Sequence, residues 1–158
     1  ALKEYLPDAF RDSYLAETAP LMGVRESRRI KGKYTLTLED YVSRRSFSDE
    51  IARNSYWLDC HPSGNEEKTI QVNPDDNYKK GDSHGIPFRC LIPENISNLL
   101  VAGRCISVER IVLSSTRVMP NCLATGEAAG IAATLAIKEN TDVCNISGEQ
   151  VMEIIKSN

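Results

Sequence analysis

No G-x-G-x-x-G turn follows a candidate strand in this chain, and there is no P-loop, so the usual nucleotide fingerprint is absent. No Cys-x-x-Cys pair occurs either. The five cysteines, Cys60, Cys90, Cys105, Cys122 and Cys144, are odd in number and scattered, which argues against a disulfide framework and a structural zinc site. Cys60 and His61 are adjacent, an awkward geometry for joint chelation, so no metal site is expected. Free thiols fit a reducing compartment, which favours the cytoplasm. No apolar run reaches the ~20 residues a membrane span requires, and no signal-peptide core is seen. Neither sign of charge dominates: the net charge of −3 gives no pull toward nucleic acid or anionic membranes, and no aromatic RNA-binding motif opposes that reading. Internal repeats and low-complexity tracts are missing as well.

What is present is ordinary for a globular protein, with 41% hydrophobic and 26% charged residues in a chain of 158. Such a chain is either one domain or a piece of a longer protein, and the start at Ala1 rather than Met favours the piece. Two N-x-S sequons, at Asn95 and Asn145, matter only in a secreted protein.

The pattern along the chain is mixed α and β. Leu2, Leu6, Phe10, Tyr14 and Leu21 give a loose helical period, interrupted by Pro7 and closed near Gly23. Ile30, Tyr34 and Leu36 suit extended backbone. Thr37 and Asp40 stand at capping-box spacing before a short helix through "LEDYVSR". "NSYWLD" reads as a strand, the polar stretch from Pro62 to Gly85 as a loop or hairpin, and "GIPFRCLIP" and "NLLVAG" as two further strands. Residues 98–103 are expected to form a strand ending at Gly103. A long helix is predicted from about Val118 to Glu139, with Pro120 in its first turn, and Ser147 with Gln150 opens a final short helix.

The stretch from residue 85 to 138 carries the chemistry. Gly103 ends an apolar run, at the edge where open α/β sheets place ligands. The first turn of the long helix offers free N–H groups and partial positive charge. Gly126 and Gly130, with Ala129 and Ala133, put small residues at four-residue spacing. Glycine inside a helix costs up to ~1 kcal/mol against alanine, so this spacing implies close approach of another backbone or a flat ring. Simple helix-on-sheet packing is the competing explanation.

"GIPFRCLIPENISNLLVAGRCIS" and "STRVMPNCLATGEAAGIAATLAIKE", preceded by "LMGVRESRRIKGKYTLTLEDYVSRRSFSDEIARNSYWLDCH", closely resemble the carboxyl-terminal end of a family of FAD-dependent oxidoreductases. Several long motifs occur in the right order over nearly the whole chain after about residue 20. The resemblance implies FAD as cofactor, a small organic substrate, and an amino-terminal segment whose glycine-rich loop holds the ADP half of FAD. That loop is not among these residues, so the expectation is a carboxyl-terminal part that is inactive alone and partnered by the missing amino-terminal part. The implied fold is α+β: residues 1–84 form part of a substrate domain. Residues 85–158 form a strand and long helix returning to the Rossmann-type FAD domain.

Carried onto this sequence, the resemblance assigns Gly103, Arg104, Met119, Pro120, Asn121 and Cys122 to the cofactor. Gly103 allows close backbone approach, Arg104 is suited to neutralise phosphate charge, and the helix start faces the flavin ring. His61, Arg89 and Arg117 are the catalytic candidates: His61 as acid or base, Arg89 to orient an anionic or hydroxylated substrate, Arg117 to meet flavin or substrate. The run Arg25, Arg28, Arg29, Lys31 and Lys33 reads either as a solvated face or, in part, as lining for a site. The competing class is a noncatalytic module that folds alone and binds a partner through that run.

Overall fold

The structure, a computed structural model, describes residues 2–60 and 78–157. His61 and most of the polar stretch that follows it lie outside the described residues. Helices and a small sheet combine in an α+β arrangement. In chain order come α1 (Leu2–Tyr5), α2 (Pro7–Phe10), α3 (Leu38–Val42), β1 (Glu50–Asn54) and β2 (His84–Pro87). α4 (Arg110–Thr116), α5 (Met119–Glu139) and α6 (Gly148–Ser157) follow, with 3₁₀ turns at Phe88–Leu91, Gly103–Cys105 and Val143–Asn145.

The amino-terminal helical period survives only as two single turns. Pro7 breaks the helix and starts the next, and neither α1 nor α2 buries a residue. By contrast α3 begins where the sequence signals it. The Thr37 side chain accepts from the Asp40 backbone N–H, and the Asp40 carboxylate accepts from the Thr37 N–H at 3.0 Å. Burial alone would raise the Asp40 pKa. Donors from Thr37, Tyr34 and Arg45 outweigh it and hold the carboxyl below its usual value.

β1 and β2 pair antiparallel, with Arg53 opposite Gly85 and Asn54 opposite His84, and a bulge lies between Glu50 and Ala52. β1 precedes "NSYWLD" rather than coinciding with it, since only Asn54 of that stretch is in the strand. The segment 98–103 is not a strand. Its apolar residues suit a ladder, but a ladder needs a neighbour. The backbone bonds made here outside regular elements run from Val101 N–H to Leu91 C=O at 2.9 Å and from Ile106 N–H to Gly103 C=O at 3.5 Å, and among the described residues neither continues into a ladder.

Leu36, Tyr41, Ile51, Ile86, Phe88, Leu91, Ile106, Val112 and Leu113 form the core together with Val151 of α6. α5 enters that core through Asn121, Thr125, Ala128, Ala132 and Ala136, all buried and spaced by three or four. Alanine on this face answers why the helix is so rich in small residues: its backbone lies close to the core. The two glycines do something else. A Cβ on Gly126 or Gly130 would meet nothing within 4 Å among the described residues. Gly126→Ala should therefore raise stability by ~0.5–1 kcal/mol through helix propensity, read as a higher urea midpoint at unchanged slope. A lower midpoint would mean that the position is packed.

Candidate functional site

α5 starts without a side-chain cap. Val118 occupies the N-cap with extended backbone, Pro120 sits in the first turn, and Met119 and Pro120 are exposed. The partial positive charge of a 21-residue helix thus ends at the surface without a side-chain acceptor from its N-cap.

Gly103 lies against this start. Its φ of +72° is a left-handed conformation that glycine adopts without strain. Its N–H donates to Thr125 Oγ1 at 2.9 Å, and that hydroxyl lies 2.8 Å from the Asn121 carbonyl one turn back. Thr125 therefore clasps the 103–105 turn onto the helix. A Cβ built on Gly103 would stand 3.7 Å from Cys122 Sγ, ordinary contact. The sequence reading missed Thr125. Its signal was a β-branched hydroxyl residue four positions after Asn121 in a helix otherwise made of small residues.

Arg104 is held by two carbonyls, with Nε 3.4 Å from Arg117 O and Nη1 3.2 Å from Val24 O. Cys122 Sγ lies 3.7 Å from the same Arg117 oxygen. Burial raises the Cys122 pKa, and the Arg104 charge opposes that rise only in part, so this thiol is not an activated nucleophile.

Asn121 uses its side chain internally. Nδ2 donates to Asn54 Oδ1 at 2.8 Å, and Asn54 in turn donates to Ser115 Oγ at 2.7 Å. The same Asn54 oxygen takes the Tyr56 N–H, while Ser115 donates to Tyr56 O at 2.6 Å. This buried network locks the first turn of α5 to the end of β1.

Arg117 is 6% exposed. Its guanidinium donates to Glu26, reaches the Asp59 carbonyl at 2.8 Å, and stands 3.7 Å from the Asp59 carboxylate. It is a tie between residues 26, 59 and the α4–α5 corner. Arg89 sits elsewhere: Nε and Nη2 grip Asp49 at 2.9 and 3.1 Å, with the guanidinium over the Tyr34 ring. Among the described residues, none of these Arg89 contacts touches residues 103–104 or 117–122. Of the residues the sequence nominates for the cofactor, Gly103, Arg104, Asn121 and Cys122 are thus brought together with Met119 and Pro120. Arg117 lies behind them, and Arg89 lies apart.

An open hollow of about 590 Å³ is lined by Ala133, Ile137, Asn140 and Asp142. It flanks the far end of α5, roughly 30 Å along the helix from its start at 1.5 Å per residue, and holds none of the expected site residues. Among the described residues no group of His, Cys, Asp and Glu is placed to hold a metal ion, and no helix is long and apolar enough to cross a membrane. No curated protein and no solved structure matches the chain. The family profile described as FAD dependent oxidoreductase matches residues 1–155, and FAD is the cofactor which that match implies. With nearly every residue inside the match, the chain belongs to the FAD dependent oxidoreductase family.

Proposed function

We propose that this chain supplies the flavin-facing wall and part of the substrate site of a flavin-dependent oxidoreductase. The observation that carries the reading is the Thr125 clasp, which sets a left-handed glycine beside an uncapped helix start. The chemistry of this donor set fits FAD. The Gly103 backbone leaves room for close approach, Arg104 brings positive charge, and the first turn of α5 offers N–H groups at Met119 and Asn121. When bound, FAD supplies a two-electron acceptor for a substrate hydride. The helix start stabilises negative charge placed against it, and the Asn121–Asn54–Ser115 network keeps it from shifting.

In this reading residues 85–158 belong to the flavin-binding part and residues 1–84 to the substrate part, with His61 as the acid–base candidate. Arg89 and Arg117 act by positioning, since both are committed to carboxylates. The ADP half is held by a glycine-rich loop outside this sequence. The outer face of α5, where Met119, Leu123 and Ile137 are exposed beside open space at Gly126 and Gly130, supports docking of that segment.

A flavin titration tests this. The 158-residue chain should bind FAD weakly or not at all, because the phosphate-cradling loop contributes much of the recognition. A polypeptide extended by the sequence encoded upstream of Ala1 should purify yellow. Stoichiometric FAD on the short chain would overturn the division of labour, and a colourless long chain would overturn the flavin reading.

A further inference from the structure

Two buried polar residues face each other where the β1–β2 ladder ends. Asn54 is the last residue of β1 and His84 the first of β2, and they are register partners, 3% and 0% exposed. The Asn54 side chain holds the first turn of α5 through Asn121 and holds α4 through Ser115. His84 takes no part in either bond. Its Nδ1 meets the Tyr78 hydroxyl, and its Nε2 has no partner among the described residues.

A second route joins the same two residues through side chains. The Tyr78 hydroxyl lies 3.3 Å from the Tyr41 carbonyl, and the Tyr41 hydroxyl lies 3.5 Å from the Tyr56 carbonyl. Ser115 donates to that same Tyr56 oxygen at 2.6 Å, and its Oγ is the atom that Asn54 reaches at 2.7 Å. Ladder and hydrogen-bond chain thus both run from His84 to the α5 start.

A proton on Nε2 conflicts with this arrangement. Arg53 of β1 and Arg44 after α3 oppose a charge at His84, Asp40 of α3 favours one, and the Tyr78 and Tyr41 phenols beside the ring are neutral. Burial is the largest influence and keeps the ring uncharged while it stays in place. An N–H at Nε2 would also find no acceptor among the described residues, so water must reach the ring as the proton does.

We propose that His84 and Asn54 form an acid-sensitive latch on the α5 start. As the pH falls, the end of the ladder opens to let His84 take up a proton, Asn54 loses Asn121, and FAD held against the first turn of α5 leaves faster. The latch rests on the flavin reading for what is released, whereas the opening belongs to the chain alone. Opening returns His84 to its ordinary pKa of 6.5, so below that value the open fraction grows about tenfold per pH unit.

Hydrogen exchange of the 158-residue chain, read by NMR from about pH 7.5 to about pH 5, tests the latch. The Asn54 and Asn121 side-chain amides should exchange faster in the native chain than in His84→Leu. The ratio of the two rates should grow about tenfold per pH unit below ~6.5. The backbone amides of Ala128 and Ala132, buried in the middle of α5, should stay protected at the acid end. That comparison is made within the native chain, so the test survives a His84→Leu protein that does not fold. Side-chain amides that lose protection only in step with Ala128 and Ala132 report global unfolding and overturn the latch. A rate ratio that is flat with pH overturns it too. In the extended chain, FAD release after dilution should quicken by the same factor, and a release rate flat with pH overturns the coupling to the cofactor. A colourless extended chain overturns the flavin reading instead, and the exchange rates alone then decide the latch.

Discussion

Arg117→Leu should lower unfolding free energy by ~2–3 kcal/mol. The side chain is nearly inaccessible, and it neutralises Glu26 while reaching both the carbonyl and the carboxylate of Asp59. Breaking a buried ion pair by removing one partner typically costs ~3–5 kcal/mol, because the other charge is stranded. Here Glu26 and Asp59 are about one-third exposed, at 31% and 35%, so water recovers part of the loss. Arg110 also remains near Glu26 at 3.9 Å. Arg117→Lys keeps the charge but cannot fork between residues 26 and 59, so about half the effect should persist. Urea denaturation measures both variants. A midpoint unchanged in Arg117→Leu would show that the acids are fully solvated and that Arg117 is free for another role.

That tie shows why the site was only partly legible in the sequence. Arg117 was recognisable as a residue near the helix start, but its partners lie 91 and 58 positions away. Nothing in local spacing announces them. Asn54 and Asn121, 67 apart, pose the same problem. Signals that act within a few residues read correctly: Thr37 with Asp40, Pro120 at the start of α5, and Ser147, whose N–H donates to Gln150 at the start of α6. Capping is a local exchange between a side chain and its own turn, so a single stretch of sequence contains the whole interaction. A strand is not local. "NLLVAG" has the composition, yet pairing depends on a neighbour that composition does not specify. The α5 face was misread for a related reason: alanine and glycine both signal small volume, and only packing shows which of them meets the core.

His84 had no assigned role in the sequence, and its burial yields the second large effect. It is 0% exposed, with Nδ1 on the Tyr78 hydroxyl and Nε2 without a partner among the described residues. Tyr78 OH also lies 3.3 Å from the Tyr41 carbonyl and stacks on the Tyr41 ring, so one phenol bridges strand and helix. Donating its single proton to Tyr41 leaves an oxygen lone pair for Nδ1–H, which makes Nε2 the bare nitrogen. Protonating Nε2 places a charge inside the core. Burial is the main cause that lowers the His84 pKa from 6.5 to about 4; Arg53 and Arg44 lower it further, and Asp40 opposes them. The unfolded chain takes up this proton below pH ~6.5, whereas the folded chain refuses it until about pH 4. Stability is therefore fully present above pH ~6.5 and falls as pH drops through that window, by about 3 kcal/mol at ~1.4 kcal/mol per unit. The loss tied to Asp40 has the same sign, but its depressed pKa confines it to the acid side, below the ordinary 3.8. Urea midpoints taken between pH 7.5 and 4.5 should fall steeply in the native chain and much less in His84→Leu, which lacks the titrating ring. Parallel pH slopes in the two proteins would show that His84 is protonated in the folded core and that its nitrogen has found an acceptor.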